Sequence, residues 1–511
     1  MSQLAAALEG LATLFTWPVF WWMIVGVLVG IVAGALPGIG AGLGMAIILP
    51  LTLPLDGTSG LVFLIGVYSG AMYGGSISAI LINTPGTGGS AATTLDGYPM
   101  SRAGLAKNAT AISVTASVLG GSVGLLTLLV LLPVLVEVIL AFQSPEYFMV
   151  AVVGLALIPI VAQGSLFKGL LSGALGLLIA TVGIAPMQFQ SRYTFDTLAL
   201  DNGISYIAAL IGLFAIAEMI TLSKESGGIA REGIDARSGS VLDGIRTAVS
   251  KPVTVIKSAY IGMAVGAIPG GGSTIANFVA YSEAVRASKD GDGPEFGEGN
   301  PTGVVATEAS NNGSIGGSIL PTIAFGIPGS SATAVLLAGL LLHGLRPGPS
   351  LFGADAHITY AMLLSVLVGN LVILFVGLVI VTRASLITKL SSETIIPMVI
   401  VLAMLGGISF RNNWIDVITI VVLGLLGYVM IRNDYSVIAF VLGIILGPIA
   451  EENLVRSLQI SEGSFAIFVA RPISLLLFAA FVAILLVPLL SSARTESTGE
   501  SNDPESSRSK R

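Results

Sequence analysis

Four short segments hold the residue types that could do chemistry: Pro37-Gly38-Ile39-Gly40, Asn83-Thr84-Pro85-Gly86, Pro269-Gly270-Gly271-Gly272-Ser273 and Pro328-Gly329-Ser330-Ser331. Proline removes a backbone donor and glycine tolerates positive φ, so the chain cannot run through these segments as unbroken helix. A helix that resumes after such a break points unpaired N–H groups and a positive dipole end into the gap, which suits an anionic group. Hydroxyls of Thr84, Ser273, Ser330 and Ser331 and the amide of Asn83 add donors for carboxylate oxygens, or oxygen ligands for a cation. Among ionisable residues Glu308 stands out, because small and apolar residues surround it and it adjoins Asn311 and Asn312. It is placed either to bind Na⁺ or carry a proton, or as a solvated carboxylate where a hydrophilic stretch meets the membrane surface.

Little else in the chain offers reactivity. It has no cysteine and only two histidines, His343 and His357. Disulfides and thiolate sites are therefore excluded. No aspartate pair, His-Glu-x-x-His helix or Ser-His dyad is present, so no catalytic residue is assigned and an intramembrane enzyme is disfavoured. His343, just before Gly344, reads as a helix C-cap, and Asp96 as part of a turn. Glu218 and Glu451 read as interfacial ends of apolar runs, and Arg471 as a snorkelling side chain. Gly120, Gly121 and Gly124 read as close helix packing. No apolar segment has Lys or Arg near its centre, so a multiply charged anion would rely on helix ends, hydroxyls and a co-bound cation.

The elements that must position these segments are membrane helices. Of 511 residues 54% are hydrophobic and 10% charged, where soluble domains carry roughly 25% charge. A crossing takes about 20 mostly apolar residues. Candidates are 17–36, 61–82, 111–142, 147–161, 169–186, 204–222, 358–381, 395–408, 414–431, 437–448 and 465–490, an all-α polytopic helical membrane protein with about 10–12 transmembrane helices. Trp17, Trp21 and Trp22 mark an interface, and no basic leader precedes residue 17. Lys224, Arg231, Arg237, Arg246, Lys251 and Lys257 place the 223–257 loop in the cytoplasm by the positive-inside bias. The tail 491–511, rich in Ser and charge, reads as disordered and cytoplasmic. The net charge of −6, without a basic block, argues against a nucleic-acid partner.

The chain also repeats. Gly34-Ala-Leu-Pro-Gly-Ile-Gly40 returns as Gly266-Ala-Ile-Pro-Gly-Gly-Gly272, and Gly74-Gly-Ser-Ile77 as Gly316-Gly-Ser-Ile319, each followed by a Pro-Gly. Two related membrane halves, 17–222 and 258–464, joined by the basic linker 223–257 and followed by an extra helix 465–490, account for the pattern. An odd number of crossings per half would make the repeats inverted. Gly/Pro-broken segments at corresponding places in inverted repeats point to the substrate site of a secondary transporter.

Segments 34–50, 73–100, 266–283 and 299–352, with Phe440-Val-Leu-Gly-Ile-Ile-Leu-Gly-Pro-Ile-Ala-Glu-Glu-Asn-Leu-Val-Arg-Ser-Leu458, resemble the large membrane subunit of the tripartite tricarboxylate transporters over about 17–490. The resemblance implies a multi-pass subunit of the bacterial inner membrane, with no cofactor beyond Na⁺ or H⁺ as coupling ion. It implies two partners, a periplasmic solute-binding protein and a small four-helix membrane subunit, and uptake of citrate or another di- or tricarboxylate. Its site segments are Pro37 to Gly40, Asn83 to Gly86, Pro269 to Ser273 and Pro328 to Ser331, and analogy with other binding-protein-dependent carboxylate carriers gives an elevator-like motion of these segments against a scaffold of long helices. The main rival, the permease of an ATP-driven importer, lacks a P-loop in this chain.

Overall fold

The computed structural model describes residues 3–36, 38–161, 165–185, 190–224, 239–270, 272–288, 293–381, 396–397, 400–401, 403–405, 411 and 413–499. Pro37, Gly271, Arg231, Arg237, most of the expected crossing at 395–408 and the tail from 500 lie outside the described residues. Within them, seven helices are long and apolar enough to span a bilayer: Trp17–Ala35, Gly57–Ile82, Ala106–Leu140, Tyr206–Lys224, Ala356–Ile380, Trp414–Arg432 and Val437–Ile460. Gly40–Thr52, Ser144–Ala156, Leu166–Ala180, Pro252–Gly266, Ser331–Leu342 and Pro472–Leu486 are shorter apolar helices. The expected crossings at 147–161 and 169–186 fall among these short pieces. The strands described are a single antiparallel hairpin, Gly183–Ile184 with Ser191–Arg192. The protein is thus a polytopic all-α membrane protein.

Several boundaries differ from expectation for local reasons. Gln3–Leu14 forms a helix that packs on Ala356–Val381, with Tyr360 donating to Gln3 Oε1 at 3.2 Å. Inside the expected linker, Ser240 caps Val241–Val249, which lies against Ala106–Leu140, and Pro252 starts the next helix at its first turn. The last helix, Pro472–Gly499, carries on into the stretch expected to be disordered. Arg471 does not snorkel freely: its Nε donates to buried Glu146 at 2.5 Å, and Ser474 donates to the same carboxylate.

The core is built from two helix pairs in main-chain contact. Gly57–Ile82 is buried along its length, and Trp17–Ala35 packs on it through glycines from both sides. A methyl on Gly30 would collide with the Val67 carbonyl, one on Gly34 with that of Ala71, and one on Gly74 with that of Ile31. Pro252–Gly266 meets Pro301–Phe325 in the same way: Gly262 against Ser310, Gly266 against Ser314, Gly313 against Ala259 and Gly317 against Met263. Small residues let helices approach this closely in a membrane. The contacts of Gly30, Gly34, Gly70 and Gly74 recur as those of Gly262, Gly266, Gly313 and Gly317, 232 residues on along the outer helix and 243 along the central one. Gly74 therefore corresponds to Gly317, not to Gly316 as matching letters alone suggest. Gly120 and Gly124 likewise pack against Ala309 and Gly313, the packing role expected of them.

This register separates two adjacent glycines. A methyl on Gly316 meets nothing nearer than 3.5 Å, whereas one on Gly317 meets the Met263 carbonyl. Gly317→Ala should lower stability by about 1–3 kcal/mol, the usual cost of overpacking. Gly316→Ala should change it little. Thermal unfolding of the two purified variants in detergent makes the comparison.

Candidate functional site

The four breaks have matched backbone geometry. After Trp17–Ala35, Gly38 (φ 85°) and Gly40 (φ 59°) turn the chain into Gly40–Ile48. After Pro252–Gly266, Gly270 (φ 68°) and Gly272 (φ 53°) lead into Gly272–Ala287. The central helices end on left-handed residues at equivalent places, Asn83 (φ 54°) and Gly326 (φ 70°). Beyond Gly326, Ser330 caps Ser331–Leu342 by accepting from the Thr333 amide. Gly40–Ile48 has no side-chain cap, so its first N–H groups are left for other partners.

The breaks converge on a cavity of about 260 Å³. Gly38, Gly40 and Gly42 line it from the first break, Thr87 to Gly89 from beyond the second, Gly270, Gly272, Ser273 and Thr274 from the third, and Ser330 and Ser331 from the fourth. Two crossed contacts tie the segments together: Gly42 abuts Ser331, and Gly88 abuts Thr274. Glycine backbone and hydroxyls dominate the wall, Tyr68 and Phe214 add aromatic surface, and among the described residues no Lys or Arg lines it.

The expected residues fall into distinct groups. Gly38, Gly40, Gly270, Gly272, Ser273, Ser330 and Ser331 are on the cavity wall. Pro269, Pro328 and Gly329 are buried behind it, Gly329 against the Gly266 carbonyl. Asn83 and Thr84 are exposed and Pro85 is half-buried, so these three do not line the cavity, and Gly86 packs on the Gly34 carbonyl instead. The second segment contributes through Thr87, Gly88 and Gly89, because Asn83 is consumed in ending its helix.

Glu308, Asn311 and Asn312 are fully buried on Pro301–Phe325, which removes the solvated reading of Glu308. They face three ways. Thr93 donates to Glu308 Oε1 at 2.5 Å, and Ser117 and Ser113 donate to Oε2 at 2.7 and 3.1 Å. Asn311 donates to the Met72 carbonyl at 2.8 Å and abuts Gly89. Asn312 faces Gly121, which also abuts Asn370. Asp96 is not in a turn. It lies in Thr94–Arg102, and its Oδ1 accepts from the amides of Gly297, Gly299 and Asn300 at 2.8–3.0 Å, anchoring the chain that enters Pro301–Phe325.

Two residues outside the expected set belong here. Glu218 lines the cavity beside Gly38, just after a π-helical turn at Ile211–Ile216, a feature frequent at functional sites. Its apolar run continues through Met219, Ile220 and Leu222, the signal that it is inside a run and not at its end. Glu451 instead forms a two-pronged ion pair with Arg192 at 2.8 and 2.9 Å. Asn277 is buried one helical turn after Ser273, a spacing visible in the sequence. His343 is the C-cap of Ser331–Leu342, as its position before Gly344 indicates.

A family model described as "Tripartite tricarboxylate transporter TctA family" matches residues 20–442. An Agrobacterium vitis protein described as "Uncharacterized 52.8 kDa protein in TAR-I ttuC' 3'region" is 35% identical over 443 residues, 85% of this chain and 86% of its own. A second from that organism, "Uncharacterized protein in TAR-II ttuC' 3'region", is 32% identical over 235 residues, 46% of this chain and 96% of its own. No solved structure matches.

Asp96 holds the helix that carries Glu308 and Asn311. Asp96→Ala leaves three backbone donors without their acceptor and should cost about 2 kcal/mol or more. Asp96→Asn keeps an acceptor oxygen and should cost less. Unfolding midpoints of both variants in detergent give the order, and equal midpoints would remove the anchoring role.

Proposed function

Because the chain belongs to the tripartite tricarboxylate transporter TctA family, we propose that it is the permease through which citrate or another di- or tricarboxylate enters the cell by alternating access, driven by Na⁺ or H⁺. It works in the bacterial inner membrane with a periplasmic solute-binding protein and a small four-helix membrane subunit. The observation that carries this reading is the meeting of all four interrupted regions in one cavity without a guanidinium or ammonium group. Carboxylate charge there is met by helix N-termini, glycine N–H groups and hydroxyls, and the remainder by a co-transported cation.

The recurrence of contacts supports two related halves, 17–222 and 258–464, which an odd number of crossings in each would make inverted repeats. Positive-φ residues at the breaks are the flexible points, and the glycine-packed pairs Trp17–Ala35 with Gly57–Ile82 and Pro252–Gly266 with Pro301–Phe325 are the rigid bodies they connect. Glu308, Asn311, Asn312 and Glu218 are the candidates for coupling to the ion.

Reconstitution with both partners in liposomes, with labelled citrate and an imposed Na⁺ or proton gradient but no ATP, tests the reading. Gradient-driven uptake is expected, and uptake that needs ATP would replace it with the ATP-driven permease. Gly270→Leu puts a side chain into the cavity at a positive φ, and Gly329→Leu forces apart the contact with Gly266. Each should abolish uptake while the protein still inserts. Full uptake by both would move the substrate site elsewhere.

A further inference from the structure

We propose that the second half of the chain alone holds one monovalent cation on neutral oxygens, Asn311 Oδ1, Asn277 Oδ1 and Ser273 Oγ, at the cavity wall formed by Gly89. The proposal rests on the transport reading above and specifies where and on what ligands its ion sits.

Both asparagines are fully buried, and both spend their amide N–H groups on the main chain around this wall. Asn311 Nδ2 donates to the Met72 carbonyl at 2.8 Å, and Asn277 Nδ2 donates to the Gly89 carbonyl. These bonds set each amide's orientation, since an amide oxygen cannot face a carbonyl. Each Oδ1 is left without a hydrogen-bond partner among the described residues. Asn311 Oδ1 and Ser273 Oγ converge on Gly89, where an added methyl would strike both. Ser273 and Asn277 stand one turn apart on the same face of Gly272–Ala287.

Buried acceptors left unpaired are costly, and a cation satisfies several at once. An all-oxygen set selects a hard cation. Divalent ions of that kind are held by carboxylates, which this set lacks, and amides and hydroxyls do not titrate, so a proton is excluded as well. Glu308, one turn earlier, is by contrast already engaged by three hydroxyl donors. Of Glu308 and Asn311, it is Asn311 whose acceptor is unmet among the described residues.

The repeat makes the site single. With the contact register found above, Asn311 corresponds to Tyr68, Asn277 to Met45 and Ser273 to Ala41, and all three first-half residues are buried. Aromatic and apolar groups thus fill the equivalent place in the first half. Gly89 and Ser273 line the cavity, so the ion would lie beside a bound carboxylate and offset its charge.

The test is equilibrium binding of radiolabelled Na⁺ to the purified full-length chain at constant ionic strength set with choline. Saturable binding near one ion per chain is expected. Asn277→Met and Ser273→Ala, which give the second half the residues of the first, should each weaken it by about tenfold or more, with unchanged gel-filtration profiles. Unaltered Na⁺ binding in both variants overturns the proposal, as does binding lost in Glu308→Gln but kept in those two. Liposome uptake of carboxylate separates the two readings. Uptake driven by protons with no Na⁺ binding overturns this site and keeps the transporter, whereas Na⁺ binding with no carboxylate uptake supports the site and overturns the transporter.

Discussion

Backbone groups freed at a helix break find no water inside a bilayer, so every break must be received by another part of the chain. That constraint organises the molecule. Gly86 follows the second break and packs directly on the Gly34 carbonyl at the edge of the first, with its own amide bonded to Gly75 at 3.1 Å. Gly329 does the same on Gly266, whose carbonyl also accepts from Ser318 at 2.9 Å. Such approaches are open only to glycine, because a Cβ on either residue would meet main-chain atoms. The close packing of each helix pair is therefore the condition under which its broken segments can exist, and the cavity is what remains where the two sets of breaks face each other.

Much of this could be read from the residues because the constraint acts on glycine and proline. The Gly34–Gly40 and Gly266–Gly272 strings mark breaks whose φ values agree, and Gly-rich spacing on both helices of a pair marks a main-chain contact. The register was harder to see. Gly316 and Gly317 are the same letter, and packing against Met263 decides which of them is equivalent to Gly74. Asn83 differs from expectation for a related reason: its amide suggests a ligand, while its position at a helix end calls for a left-handed residue.

What stayed hidden depended on partners distant in the chain. Asp96 takes its role from Gly297, Gly299 and Asn300, and Glu308 from Thr93, Ser113 and Ser117. Neither partner set has a sequence pattern of its own. Gln3–Leu14 is rich in helix-forming Ala and Leu, but the surface it packs on, Ala356–Val381, comes from far along the chain. Glu218 is read correctly only when the apolar residues on both sides are counted with the π-helical turn before it.

The two helix pairs share a backbone plan but not its chemistry. Equivalent breaks give equivalent helix ends, so the backbone at the breaks repeats from one pair to the other. The buried polar side chains do not: Glu308 and Asn311 occupy places where the first half has Ile65 and Tyr68. Burying a polar group where a hydrophobic one fits the same backbone is unfavourable without a compensating partner. Glu308 finds its partners in Thr93, Ser113 and Ser117, so the carboxylate ties Pro301–Phe325 to residues about 190–215 positions earlier in the chain. The repeated helix pairs thus keep their symmetry in the backbone and break it in the buried polar groups.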